Sequence, residues 1–147
     1  MGVQRTANAT WKGPLVGGAG IVDTVTSGAF GGLPVSWPAR TEEANGKTSP
    51  EELIAAAHAA CFSMALSARL ARNETPAQEL RVSATVTFDK TESGGWGIAS
   101  SALDVVGKVA GIDASKFEEL AQSAKDGCPV SAALKGNVAL SVSAKLA

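Results

Sequence analysis

The sequence predicts an α+β fold, and three observations carry that reading. One long Ala-rich helix sits in the middle of the chain behind a clear cap. Strand-like stretches flank it on both sides. The element order, β-β-β-α-β-β-α-α-β, lacks the regular strand–helix alternation of a parallel α/β sheet. At 147 residues, with no internal repeat and no linker-like stretch, the chain fits a single domain spanning 1–147.

Residues 8–12, 20–26 and 33–37 read as short strands. Ile21, Val22 and Val25 mark the second, and Pro38 ends the third. Gly17, Gly18, Gly20, Gly28, Gly31 and Gly32 punctuate this region as turns. No Lys-Ser or Lys-Thr closes a Gly-x4-Gly frame there, so it is not a phosphate loop. Residues 41–48 are a polar loop. Then comes the strongest helix start in the chain. Ser49 caps, Pro50 suits the first helical position, and Glu52 completes a Ser-x-x-Glu capping box. Glu51 adds a carboxylate where the helix dipole favours one. The helix runs from Pro50 to about Arg72, before Asn73 and Pro76.

Residues 80–90 alternate, with Val82, Ala84, Val86 and Phe88 on one face and Ser83, Thr85, Thr87 and Asp89 on the other. Residues 92–95 form a turn, and 96–109 a second, less regular strand. Asp113 or Ser115 caps a helix through Lys125, with Phe117, Leu120 and Ala121 or Ala124 as its apolar stripe. Gly127 suits the position after that helix. Residues 129–134 read as a short helix and 137–146 as a final strand.

Composition narrows the function classes. Thirteen basic residues balance fourteen acidic ones, giving net charge −1 with no block of like charge. A surface that neutralises phosphates needs clustered Lys and Arg, so nucleic acid is not an expected partner. The N-terminus lacks the basic patch and apolar core of a signal peptide. The apolar run 53–71 is mostly Ala and contains His58 and Arg69, which suits a helix buried in protein better than a membrane span. The expected location is cytoplasmic. Two cysteines in a reducing compartment are catalytic, redox-sensing or buried more often than they are a permanent staple.

Cys61 lies about three turns into the long helix, among Ala57, Ala60, Met64 and Ala65. It is either a small buried hydrophobe or a reactive thiol, since reactivity depends on a lowered pKa and access. Cys128 falls between Gly127 and Pro129, at the N-cap of the short helix, where unpaired backbone N–H groups favour a thiolate. On local grounds Cys128 is the better activated of the two. His58, three residues before Cys61, is either a base for it or a satisfied core residue, and the second is commoner for a lone His. One His and two Cys give at most three ligands without paired spacing, so zinc is not expected. Glu51 lies ten residues before Cys61, about 15 Å along a helix, so it cannot touch the Cys61 of its own chain. Arg40, in the loop before the helix, is either a solvated charge or a partner for a thiolate or carboxylate.

Two stretches carry a family resemblance. The first is Thr48-Ser49-Pro50-Glu51-Glu52-Leu53-Ile54-Ala55-Ala56-Ala57-His58-Ala59-Ala60-Cys61-Phe62-Ser63-Met64-Ala65-Leu66-Ser67. The second is Gly111-Ile112-Asp113-Ala114-Ser115 with Ala124-Lys125-Asp126-Gly127-Cys128-Pro129-Val130-Ser131. Together they resemble the OsmC/Ohr family of hydroperoxide reductases, and the wording around Cys61 is closer to the osmotically inducible protein C branch. The strand order fits along nearly the whole chain. Ser49 stands where the family usually has Asn, which preserves capping.

The resemblance implies an OsmC-like fold: an intertwined homodimer, two long central helices packed back to back and wrapped by antiparallel sheets from both chains. It implies that Cys61 attacks an organic hydroperoxide and becomes a sulfenic acid, and that Cys128 closes a disulfide with it. Arg40 matches the family arginine that stabilises the thiolate, and Glu51 the carboxylate that holds it, acting in the partner subunit's site. The apolar surroundings of Cys61 suit organic peroxides over hydrogen peroxide. No flavin, haem or nicotinamide motif is present, so no cofactor is expected. The implied reductant is an external dithiol, lipoylated proteins among the candidates. The competing readings are a redox sensor whose disulfide switches binding, a Cys–His hydrolase using Cys61 and His58, and a structural dimer with inert thiols.

Overall fold

The computed structural model describes residues 2–147 and divides them into two units, one ending at Leu53 and one beginning at Ile54. In the first, β1 (Ala7–Lys12), β2 (Ala19–Val25) and β3 (Gly31–Val35) form a three-stranded antiparallel sheet in that order. A five-residue helix follows, α1 (Trp37–Thr41). The sequence reading ran the third strand to Trp37. Instead Ser36 leaves the strand and caps α1, its Oγ accepting from the Ala39 amide at 3.2 Å, and Pro38 occupies the first turn where its missing N–H costs nothing.

The polar loop after α1 folds back on β3. Its Lys47 amide donates to Ala44 O across Asn45 and Gly46, both at positive φ, a turn that suits Asn-Gly. Thr48 then bridges in parallel to Val35, its amide bonding Pro34 O at 3.0 Å. That bridge delivers Ser49, Pro50 and Glu51 beside α1. Helix α2 (Pro50–Arg72) starts there. Ser49 Oγ accepts from the Glu52 amide at 3.1 Å, as the cap predicts. The return half of the capping box differs: Glu52 takes its hydrogen bond from Thr48 Oγ1 at 2.8 Å.

The second unit carries a sheet ordered β4 (Ala77–Lys90), β5 (Trp96–Val109) and β6 (Ala139–Leu146), with α3 (Ala114–Gly127) and α4 (Pro129–Leu134) between β5 and β6. β4 and β5 form a long antiparallel hairpin. The expectation of purely antiparallel sheets is corrected here, because β6 pairs with β5 in parallel. The connection through α3 and α4 returns the chain to the same end of the sheet, which a hairpin cannot do. Asp113, not Ser115, caps α3 by accepting from the Lys116 amide at 2.8 Å. Gly127 stays helical, and Cys128 is both the C-cap of α3 and the N-cap of α4.

The core of this unit is a seam between one stripe of α2 and the inward face of β5. Phe62, Leu66 and Leu70 repeat every four residues and are fully buried. Leu103 and Val105 alternate inward on β5, and Phe117, Ala121 and Ala124 close the seam from α3. Gly107 continues the β5 row, where a Cβ would meet Phe117 Cε1 at 2.8 Å and Leu80 Cδ2 at 3.3 Å. At the other end both stripes turn polar in register, His58 on α2 and Ser101 on β5, each fully buried.

Helix α2 is long and apolar enough to cross a membrane by length and composition. The expectation of burial on most of its sides is not met within one chain. Ala56, Ala57, Ala60, Met64, Ser67, Ala68 and Ala71 form an exposed stripe, with Met64 at 69%. The sheet of its own chain covers only the opposite face.

Candidate functional site

In the first unit, Arg40 and Glu51 form a fork. Arg40 Nη2 donates to Glu51 Oε1 at 2.6 Å, and Nε lies 3.2 Å from both carboxylate oxygens. Glu51 is buried at 6% exposure, and the guanidinium also sits 5.7 Å from the centre of the Trp37 ring. Such geometry fixes a planar cation in one orientation. Beside it opens a cleft of about 350 Å³ lined by Trp11, Leu15, Val35, Ser36, Trp37, Arg40 and Pro50. The lining is mostly hydrocarbon and aromatic with one cation at the wall. The sequence reading anticipated Arg40 and Glu51 and missed this cleft, whose residues come from four separate segments.

In the second unit, Cys61 and Cys128 come together. Both are free thiols, and they approach to 2.9 Å. Cys61 is half-buried on α2, and Cys128 is fully buried at the α3–α4 junction. Their electrostatics differ. Burial pushes the Cys61 thiol up, its hydrogen bond to Cys128 pushes the same way, and the Val130 amide only partly offsets them. Burial also opposes ionisation of Cys128. There it is outweighed by the hydrogen bond from Cys61, the Ser131 amide and hydroxyl, and the Val130 amide, so that pKa falls below the usual thiol value. Cys128 makes no aligned cap bond. These directions agree with the local reading that favours Cys128 as the better activated thiol.

His58 serves neither cysteine directly. Its Nδ1 lies 2.6 Å from Ser101 Oγ and its Nε2 2.8 Å from Ser131 Oγ, so both ring nitrogens are engaged by serines. Burial lowers its pKa, leaving the ring neutral. With both ring nitrogens held by serines and neither by a thiol, His58 is not placed as the base a Cys–His hydrolase needs. Arg69 braces the same corner, donating from Nε to Ser123 Oγ at 2.9 Å and from Nη1 to Ala65 O at 3.1 Å. Its guanidinium occupies the space a side chain at 127 would take. Among the described residues, no group of three His, Cys, Asp or Glu side chains could hold a metal ion.

A helix-and-sheet scaffold that brings two free thiols from distant segments into contact, with one of them biased toward thiolate, defines a two-cysteine thiol-redox protein. The family model described as OsmC-like protein matches residues 43–143, and the chain belongs to that family. It is 42% identical over 140 residues to Peroxiredoxin OsmC of Escherichia coli (strain K12), covering 95% of this chain and 96% of the relative. It is 37% identical over 108 residues to the organic hydroperoxide resistance protein OhrA of Bacillus subtilis (strain 168), covering 72% and 74%. The fold matches the crystal structure of OhrB of Bacillus subtilis with a TM-score of 0.74 and 30% identity, over 95% of this chain and 98% of that one.

Proposed function

We propose that this protein is a cofactor-free thiol peroxidase that reduces organic hydroperoxides to alcohols. The observation that carries the reading is the 2.9 Å approach of two free cysteines in a chain of this family. The Cys61 thiolate attacks the distal peroxide oxygen, the O–O bond breaks, and the alkoxide leaves as alcohol once protonated. Cys61 is then a sulfenic acid. Cys128 condenses with it, releasing water and forming the disulfide. An external dithiol, such as a lipoylated protein, reduces that disulfide by two thiol exchanges.

Arg40 supplies the cation that Cys61 lacks, and Glu51 holds it in place, the pair from one subunit completing the cysteine site of the other. The apolar cleft beside Arg40 accepts the organic group of the peroxide. The whole chain, 1–147, works as one domain in a cytoplasmic homodimer. The exposed Ala- and Met-containing stripe of α2 supports that assembly, since small residues let two helices approach closely.

Mutants in each cysteine test the assignment. Cys61→Ser is expected to consume no peroxide. Cys128→Ser is expected to reduce about one equivalent and stall as sulfenic or sulfinic acid. Exchanged behaviour would transfer the peroxidatic role to Cys128. Steady-state turnover with a dithiol separates an enzyme from a redox sensor, which would oxidise once and not cycle.

A further inference from the structure

Three buried groups that the disulfide chemistry leaves unused form a chain leading to Cys128. His58 and Ser101 are fully buried and Ser131 is 1% exposed. Their contacts run from Ser101 Oγ to His58 Nδ1 at 2.6 Å, and from His58 Nε2 to Ser131 Oγ at 2.8 Å. Ser131 is the third residue of α4 after its N-cap Cys128, the position whose hydroxyl and amide lie nearest an N-cap side chain, and both groups favour the Cys128 thiolate.

Counting hydrogens gives this chain a direction. A neutral imidazole has one N–H and one lone pair, and a serine hydroxyl has one hydrogen. If Ser131 donates to Nε2, no hydroxyl hydrogen remains for the sulfur. If Nε2 carries the ring hydrogen, Ser131 accepts it and its own hydrogen is free to point at Cys128. Nδ1 is then the acceptor, and Ser101 donates to it. Every member is satisfied in that arrangement, and no buried side-chain nitrogen or oxygen among the described residues lacks a partner.

We propose that His58 and Ser131 are positioning residues for Cys128: His58, as the Nε2–H tautomer, aims the Ser131 hydroxyl at the sulfur and so keeps Cys128 ready to attack oxidised Cys61. The inference rests on the thiol-peroxidase reading. In that step the Cys128 thiolate attacks the sulfur of the Cys61 sulfenic acid. The S–S bond forms and the S–O bond breaks. The Cys128 sulfur is oxidised, the Cys61 sulfur is reduced, and hydroxide leaves as water with the proton Cys128 gave up. In the disulfide Cys128 carries no charge. Burial favours the neutral ring that the Nε2–H arrangement requires.

The chain has one His, so nitrogen NMR of the imidazole reports this residue alone. The expected result is the Nε2–H tautomer in the reduced protein. The Nδ1–H tautomer there would overturn the proposal. A thiol titration adds a second readout in the Cys61→Ser background. Ser131→Ala is expected to raise the Cys128 midpoint by about one pH unit and to slow disulfide formation about tenfold in the two-cysteine protein. Ser131→Thr, which keeps the hydroxyl, restores both. A midpoint unmoved by Ser131→Ala would equally overturn it. The other titratable or charged groups around Cys128 are His58, Cys61 and Arg69 from α2, Lys125 and Asp126 at the end of α3, and Lys135 after α4. Ser131→Ala removes none of these groups, and the hydrogen bond that Ser131 takes from His58 Nε2 is kept in Ser131→Thr. The NMR and the titration need no peroxide, so a wild type that consumes none refutes the peroxidase reading and leaves these two measurements to judge the positioning role.

Discussion

Replacing Glu51 with Gln keeps the side chain's shape and removes its charge. Glu51 is 6% exposed and receives three contacts from Arg40, at 2.6, 3.2 and 3.2 Å. Gln offers one oxygen and turns an NH2 group, which only donates, toward a guanidinium that also only donates. Hydrogen bonds to charged groups are worth about 1.5–3 kcal/mol. The Arg40 side chain is 27% exposed, so solvent screens part of that, and the loss is set at about 1.5 kcal/mol. If Arg40 ionises Cys61, this corresponds to roughly a tenfold slower first step, since 1.4 kcal/mol is about tenfold. The assay is single-turnover consumption of cumene hydroperoxide by reduced protein, with a denaturation curve on the same sample to separate rate from folding. Arg40→Lys, which keeps the charge but loses the fork, is expected to move in the same direction. A folded Glu51→Gln variant within twofold of wild type would refute the role given to this pair.

Three further outcomes follow from the geometry. The His58 pKa is lowered by burial, so the unfolded chain binds the proton more readily than the native one. Stability is therefore complete above the unfolded value, about pH 6.5, and falls as the solution is acidified below it. Denaturant midpoints measured from pH 8 to pH 5 check this, and a rise on acidification would contradict it. Gly107→Ala pushes a methyl into Phe117 and is expected to cost about 1–3 kcal/mol, read as a lower Tm that a smaller residue at 117 partly restores. A polar substitution of Leu15 or Val35 in the cleft is expected to slow reaction with a bulky organic peroxide more than with hydrogen peroxide. Equal slowing of both would remove the cleft from substrate binding.

The parts of the fold written in local chemistry were legible, and those written in long-range pairing were not. Ser49, Pro50 and Glu52 announced α2, and the alternation through Phe88 announced β4. The same kind of signal was present at Ser36 and Pro38. It is ambiguous there, because Pro38 stops a strand as effectively as it starts a helix. The direction of β6 could not be read, because alternation specifies a face and carries no information on which way the strand runs. The cysteine contrast was anticipated from the N-cap position of Cys128. The partners of His58 were not, since Ser101 and Ser131 lie 43 and 73 positions away and serine alone signals nothing. Arg40 and Glu51 were proposed from resemblance. Their approach depends on the Asn45-Gly46 turn and the Thr48 bridge, which fold the loop back on β3.

The most direct measurement is a peptide map of the protein after one equivalent of an organic hydroperoxide, with free thiols blocked before digestion. The expected product is one cross-linked species joining the Cys61 and Cys128 peptides within a single chain, formed as one equivalent of alcohol is released. Peroxide loss with both thiols still alkylatable, or a disulfide found only between the cysteines of different chains, would contradict it.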